Sequence, residues 1–294
     1  MNNTSSATLQ MVSAMCIFGS ISVFVRHIPL PSSILALARG VVGMLFLLLV
    51  TLLRGKRPAL ADIRRNLLYL CLSGVFMGIN WVLLFEAYHY TTVATATLCY
   101  YLAPIFVMLA APFLLKERLS KVKIICVVVA LAGMVLVSDV GQSGPSGVGE
   151  LKGVALGVGA AALYAGVMLV NQKIKGISAS DKAIIQLGSC ALVLLPYALV
   201  TQWGAELSLS PEAVLLLLVV GVVHTGIAWM LYLGAMAGLK AQAVAVLSYI
   251  DPVVAILVSA LLLKEPLGLA GILGAVMILG SALASELADH GPGK

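Results

Sequence analysis

Ten long apolar blocks, separated by short polar stretches, follow one another along almost the whole chain. They cover residues 8–25, 33–53, 66–86, 93–115, 122–139, 153–172, 183–203, 212–233, 241–263 and 268–287. Each is about 17–25 residues long, the length that an α-helix needs to cross a hydrocarbon layer of about 30 Å. The alternating pattern of membrane-barrel strands is absent from the sequence. The pattern therefore predicts an all-α polytopic membrane protein with ten transmembrane helices, numbered below as segments 1 to 10.

The overall composition agrees with this pattern, since the chain is 61% hydrophobic and 10% charged and has a mean hydropathy of +1.09. A soluble domain carries many more polar and charged side chains on its surface, so the composition excludes that class. The five cysteines lie inside the apolar segments and lack the spacing of metal ligands. We therefore expect no metal site and no cofactor.

The distribution of Lys and Arg predicts the orientation of the chain. With the N-terminus in the cytoplasm, fourteen of the 18 Lys and Arg residues lie on the cytoplasmic side. Arg26, Lys152 and Lys264 lie on the opposite side, and Arg39 lies inside a segment. This bias predicts cytoplasmic N- and C-termini, and it explains the net charge of +6 without a nucleic-acid partner. We expect the protein in the inner (plasma) membrane of the cell.

Segments 3 and 4 are repeated by segments 8 and 9 at an offset of 148 residues. Eight of nineteen positions are identical between residues 101–119 and 249–267, including a tyrosine, a proline and a Lys-Glu pair. Upstream, "GINWVLLFEA" at 78–87 aligns without a gap with "GIAWMLYLGA" at 226–235. Chance similarity between apolar helices does not keep glycine, tryptophan, proline and a charged pair in one register.

The repeat predicts the organisation of the chain: a first five-helix repeat at 1–139, a connector at 140–152 and a second five-helix repeat at 153–294. The connector region is rich in Gly and Ser, as linkers are. Because five is an odd number, the second repeat must be inverted in the membrane relative to the first. Inverted repeats are typical of secondary transporters that work by alternating access.

These motifs resemble the ten-helix, EamA-type members of the drug/metabolite transporter superfamily. The resemblance is carried by "FGS" at 18–20, by Arg39, and by the stretch 78–120 with its second-half copy. It implies a carrier of small metabolites, often an exporter, with a central cavity lined by segments 1, 3, 4, 6, 8 and 9. One position departs from the family pattern, because Asp251 stands where a small or apolar residue usually precedes the proline of segment 9.

Pro104 and Pro252 lie near the middle of segments 4 and 9. A proline inside a helix leaves the carbonyl four residues earlier without its partner, and a free carbonyl in hydrocarbon must face protein or a watery cavity. We interpret both prolines as hinges that line the substrate path. The alternative is that they only bend their helices, as prolines commonly do in membranes.

Ionisable residues inside the apolar segments are candidate functional groups because they are costly there. We interpret Asp251 as a site for a proton or a substrate amine, with a structural partnership as the alternative. We interpret Arg39 as a helix-packing residue, with binding of a substrate carboxylate as the alternative. Glu86, at the end of segment 3, and His224, in segment 8, are candidates for coupling or for structural roles.

Aromatic and amide side chains complete the predicted substrate site. Aromatic rings suit a flat or cationic solute through stacking and cation–π contact, with plain packing as the alternative. The predicted substrate-binding residues are Asn80, Trp81, Tyr100, Tyr101, Tyr164, Trp229, Tyr249 and Asp251. The two Lys-Glu motifs, at opposite membrane faces, favour interfacial anchoring over gating.

The sequence contains no phosphate-binding loop, HExxH or GxSxG motif, so we expect neither ATP-driven transport nor an enzyme. We predict a secondary transporter that exports a small amino acid or amine-like metabolite, aromatic ones included. The alternatives are uptake or facilitated diffusion of another small polar or nucleoside-like solute, or an intramembrane enzyme or scaffold. The expected partners are the small-molecule substrate and the lipid bilayer.

Overall fold

The structure, a computed structural model, describes residues 3–55, 58–114, 121–137, 147–171, 173–204, 210–239, 247–265 and 268–289. The regular secondary structure in these ranges is helical. The first half contains α1 (Asn3–Arg26), α2 (Ser32–Leu53), α3 (Leu60–Tyr90), α4 (Val93–Tyr100), α5 (Ala103–Leu114) and α6 (Lys121–Val137). The second half contains α7 (Gly147–Asn171), α8 (Ala179–Thr201), α9 (Pro211–Val219), a π-helix (Val220–Ile227), α10 (Ala228–Gly238), α11 (Ile250–Leu261) and α12 (Leu269–Asp289).

Wherever the structure describes them, the ten predicted segments coincide with helices. Segment 4 corresponds to α4 and α5, and segment 8 to the continuous run of α9, the π-helix and α10. By length and composition, six helical stretches of the described chain are able to cross a membrane. The protein is therefore a multi-pass helical membrane protein, while the ten crossings and the cytoplasmic termini stay predictions.

Local sequence signals explain several helix starts. The hydroxyls of Thr92, Ser178 and Ser210 each accept a hydrogen bond from the backbone N–H three residues further on, which satisfies a donor that the helix leaves unpaired. The helix α7 begins at Gly147, within the predicted connector, so its first two turns, which carry Glu150 and Lys152, extend past the apolar block. Residues 138–146 of that region lie outside the described residues.

The two central prolines lie at helix breaks and not inside kinked helices. The helix α4 ends at Tyr100, and α5 begins at Ala103, one residue before Pro104. In the second half, Tyr249 is the N-cap of α11, and Pro252 is in its first turn. A proline is well tolerated there, since its missing N–H would have no partner in the helix. In both halves, the helix is therefore interrupted at the place where the sequence predicted a hinge or a bend.

Contacts at the helix ends define two opposite faces of the bundle. One, which we call the Arg26 face, contains the end of α1, where Arg26 Nη2 donates to the Thr91 carbonyl at 3.2 Å. It also contains the end of α3 and the start of α7, where Lys152 Nζ donates to Tyr90 Oη at 2.6 Å. The other, the Lys175 face, contains the start of α3 and the loop before α8, where Asn66 Nδ2 donates to the Lys175 carbonyl at 3.0 Å. Thus α1 ends at the face where α7 begins.

The packing of the helices repeats itself between the two halves. The helix α3 packs against α7, and the repeat-related α10 packs against α1. The contact between α3 and α8 corresponds to the contact between the π-helix and α2. The helices α2 and α8 are repeat counterparts of each other and pack together, and the same holds for α6 and α12. Exchanging the halves therefore leaves this pattern of contacts unchanged.

A polar network and a close helix contact join α3, α7 and α8. Gln186 Nε2 donates to Ser73 Oγ at 2.8 Å and to Asn171 Oδ1 at 2.7 Å. A Cβ atom at Gly74 would lie 2.6 Å from the Cβ of Ser189 and against the backbone oxygen of Gln186. The glycine is thus required for the approach of α3 to α8.

We expect Gly74→Ala to destabilise the protein, because the added methyl group meets backbone that cannot move aside. Overpacking of this kind costs about 1–3 kcal/mol. Gly280→Ala is the matched control, since a Cβ there meets nothing within 4 Å and alanine is the better helix former. Thermal unfolding in detergent should give a lower midpoint for Gly74→Ala alone. Equal midpoints for the two variants would contradict the close contact.

Candidate functional site

Asp251 and Tyr101 are brought together by the two helix breaks. Tyr101 lies in the gap between α4 and α5, and its hydroxyl donates to Asp251 Oδ2 at 2.6 Å. Asp251 is in the first turn of α11, where the helix dipole favours a negative charge. Part of the residue is accessible to solvent, and it forms no ion pair with any described residue. Its carboxyl group therefore keeps the capacity to bind a ligand.

Tyr100 and Tyr164 form a stacked pair beside this carboxyl group. Their ring centroids are 5.0 Å apart with an interplanar angle of 22°, and the Tyr100 and Tyr101 rings meet edge to face at 6.1 Å. The Tyr100 hydroxyl donates to Asn80 Oδ1 at 3.4 Å, while Asn80 Nδ2 donates to the Ala160 carbonyl at 2.5 Å. Asn80 thereby fixes the tyrosine pair to the backbone of α7.

Trp229 belongs to a second aromatic cluster on the α1 side of Asp251. Its ring lies 6.3 Å from Phe18 and 5.7 Å from Tyr232, edge to face in both pairs. Gly19 follows Phe18, and a Cβ atom there would lie 2.5 Å from the backbone oxygen of Asp251. The glycine of the "FGS" motif thus lets α1 approach α11 at this position. Phe18 was not among the predicted site residues, although it is part of the motif.

Arg39 lies in the core between α2, α3 and the π-helix, and it is only 7% exposed. Its Nε donates to Thr225 Oγ1 at 2.8 Å, and its guanidinium carbon lies 4.0 Å from the ring centroid of Trp81. Trp81 is itself buried and lies over the arginine. These contacts join three helical elements, which supports the helix-packing interpretation of Arg39.

His224 lies in the π-helix, a rare geometry that is frequent at functional sites. The side chain is 2% exposed. Its Nε2 is 3.4 Å from Ser20 Oγ, and its ring centroid lies 4.7 Å from that of Phe24. His224 therefore connects segment 8 to α1 through packing and one long polar contact.

The second Lys-Glu motif forms a cluster at the Arg26 face, which we call the latch. Glu265 Oε1 forms an ion pair with Arg26 Nη2 at 2.6 Å. Its Oε2 accepts hydrogen bonds from the backbone N–H of Val93 at 2.9 Å and from Ser259 Oγ at 2.8 Å. The latch joins α1 and α11 to the start of α4. The first-half motif at 116–117 lies outside the described residues.

The remaining predicted residues have simpler surroundings. Glu86 accepts a hydrogen bond from Ser32 Oγ at 2.8 Å, near the Arg26 face. Tyr249 precedes α11, and the backbone of Pro104 belongs to α5, although its side chain lies outside the described residues. No cluster of three or more His, Cys, Asp or Glu side chains suited to a metal ion occurs in the described part of the chain.

Comparisons with known proteins identify the class. A solved crystal structure matches 97% of this chain and 99% of its own, with a TM-score of 0.67 and 19% sequence identity, which shows a shared fold. The sequence profile of the EamA-like transporter family matches residues 5–139 and again residues 151–285. The chain therefore belongs to the EamA-like transporter family, as its motifs predicted, and it is a membrane transporter.

One bacterial and one archaeal relative agree with this assignment. An uncharacterized transporter, YxxF, from Bacillus subtilis (strain 168) is 31% identical over 276 residues, covering 93% of this chain and 87% of the relative. An uncharacterized transporter from Archaeoglobus fulgidus is 27% identical over 264 residues, covering 89% of this chain and 90% of the relative. Their names specify no substrate.

Proposed function

We propose that the protein is a secondary transporter that exports an amino acid or amine-like metabolite across the inner (plasma) membrane. The observation that carries this proposal is the carboxyl group of Asp251, a partly buried residue that forms no ion pair with any described residue. A deeply placed carboxylate is costly unless a charge or hydrogen bonds stabilise it. A substrate ammonium group supplies that charge.

The surrounding rings support an amine-bearing substrate. Tyr101 donates a hydrogen bond to Asp251 Oδ2 at 2.6 Å, and the stacked rings of Tyr100 and Tyr164 lie next to the ring of Tyr101. Ring faces attract cations and also stack on flat solutes. In this proposal, Trp229 and Tyr249 complete the walls of a central cavity, and Asn80 holds Tyr100 in place.

Alternating access follows from the proposed organisation into two repeats, 1–139 and 153–294, joined by a short connector. The opposite directions of α1 and α7 support an inverted arrangement, since these helices are repeat counterparts. Interconversion of the two halves would open one face as it closes the other. The latch closes the Arg26 face, which is the outer face in the proposed topology, and the breaks before Pro104 and Pro252 act as hinges.

A two-stage experiment tests this function. Purified protein is first screened by thermal shift against amino acids and biogenic amines, since a ligand that binds the folded state raises its stability by mass action. Each compound that stabilises the protein is then tested for counterflow in sealed proteoliposomes. The matched control is its N-acetyl derivative, which lacks the positive charge.

We expect at least one amine to stabilise the protein and to exchange across the membrane, and its N-acetyl derivative to do neither. Binding without counterflow would contradict the transport proposal. Counterflow of the N-acetyl compound at the same rate would contradict the role of the ammonium group.

A further inference from the structure

A polar groove at the Arg26 face has no role in the proposed transport cycle. It has a volume of ≈ 300 Å³ and lies where α2 begins and α8 ends, between α3 and α7. Ser33, Glu86 and Gln202 supply its polar lining, and Leu83, Leu156 and Tyr197 supply its apolar lining. The groove therefore combines charged, polar and apolar surfaces at one level of the membrane.

One end of the groove is suited to an anion. Pro31 is the N-cap of α2 and offers no side-chain hydrogen bond, so the first N–H groups of this 22-residue helix have no partner within the helix. Ser33 is 5% exposed, and its hydroxyl has no hydrogen-bond partner among the described residues. N–H groups without a partner in the helix, the buried hydroxyl of Ser33 and the positive end of the helix dipole together favour a phosphate group.

The other end of the groove is suited to a cation. Glu86 accepts one hydrogen bond, from Ser32, at Oε2, and among the described residues it forms no ion pair. Its other oxygen, Oε1, accepts no hydrogen bond in the same part of the chain. Because Ser32 belongs to the first turn of α2, the carboxylate lies close to the proposed phosphate position. This arrangement fits a phosphate and an ammonium group joined by a short linker.

We propose that the groove binds the phosphoethanolamine headgroup of a phospholipid. The position favours a lipid over a soluble solute, because the groove lies at the helix ends, where the apolar surface of the protein meets the polar boundary. Tyr197 lines the groove and is 49% exposed, and the neighbouring Trp203 is 86% exposed. Exposed aromatic residues of this kind are enriched at membrane interfaces. Leu83 and Leu156 then contact the glycerol and the first carbons of the acyl chains.

Native mass spectrometry of the purified protein tests this site with short-chain phosphatidylethanolamine, short-chain phosphatidylglycerol and free O-phosphoethanolamine as probes. We expect one saturable site for phosphatidylethanolamine. Glu86→Gln should weaken its binding about tenfold or more, since the hydrogen bond to the ammonium group loses the carboxylate charge, and should not weaken phosphatidylglycerol binding. Ser33→Ala should weaken binding of both lipids, because both present a phosphate.

Glu212→Gln is the matched control, because Glu212 is exposed in the first turn of α9 and lies outside the groove. This variant should bind phosphatidylethanolamine like the wild type. Equal binding by Glu86→Gln and Glu212→Gln would overturn the proposal. Binding of free O-phosphoethanolamine as tight as that of the lipid would also overturn it, since the ligand would then be a soluble solute.

Discussion

Replacing Asp251 by asparagine is expected to reduce counterflow of the amine substrate by about 30-fold or more. Removal of one charge from a desolvated ion pair costs about 2–5 kcal/mol, and asparagine keeps the size of the side chain. The Tyr101 hydroxyl, 2.6 Å from Oδ2, can still contact the amide oxygen, so the site should hold its shape. Counterflow and thermal shift with the same amine measure the effect.

Tyr101→Phe is the control for this prediction, because it removes one hydrogen bond and keeps the aromatic ring. We expect a loss of about tenfold or less, as the carboxylate charge is unchanged. Proton coupling through Asp251 predicts another result. In that case, Asp251→Asn abolishes accumulation driven by a pH gradient but preserves counterflow. Wild-type transport that ignores an imposed pH gradient would contradict that coupling.

Glu265→Gln is expected to open the Arg26 face. The carboxylate of Glu265 binds Arg26 and two hydrogen-bond donors, and loss of such charged contacts costs about 1.5–3 kcal/mol, or about tenfold or more in an equilibrium between closed and open states. Val93 is completely buried behind the latch. A cysteine at this position, in a background without the native cysteines, should react with a maleimide about ten times faster in the Glu265→Gln variant.

Lys264→Gln separates gating from anchoring. Lys264 is the exposed neighbour in the same motif and is not part of the latch. Gating predicts that only Glu265→Gln accelerates the labelling of the cysteine at position 93. Interfacial anchoring predicts that the two variants behave alike, and this outcome would contradict the role of the latch.

The helices could be predicted from the sequence because each is specified locally. An apolar run of sufficient length in a membrane satisfies its backbone only as a helix, so the pattern of residues 33–53 predicts α2 (Ser32–Leu53) almost to the residue. The prolines showed where segments 4 and 9 depart from regularity. They did not distinguish a bend from a break, because either one satisfies the backbone and the packing of the neighbouring helices selects between them.

The candidate site was predictable only in part, because its contacts join residues far apart in the chain. Asp251 is conspicuous as a carboxyl group in an apolar segment, but its partner Tyr101 is 150 positions away. Trp81, one of the predicted substrate-binding residues, is buried over Arg39, since its face of α3 packs inside the bundle. The latch could not be predicted from the sequence for another reason. A Lys-Glu motif at a membrane boundary has the same pattern whether it anchors or gates.

Alternating access by the two repeats is tested most directly by distances at both faces, measured by electron paramagnetic resonance on spin-labelled protein. His27 and Leu269 mark the Arg26 face, and their repeat counterparts Lys175 and Lys121, at the offset of 148 residues, mark the opposite face; all four are exposed. In the Glu265→Gln variant, we predict that the distance between His27 and Leu269 lengthens and that the distance between Lys175 and Lys121 shortens. A change of both distances in the same direction, or of the first alone, would contradict alternating access.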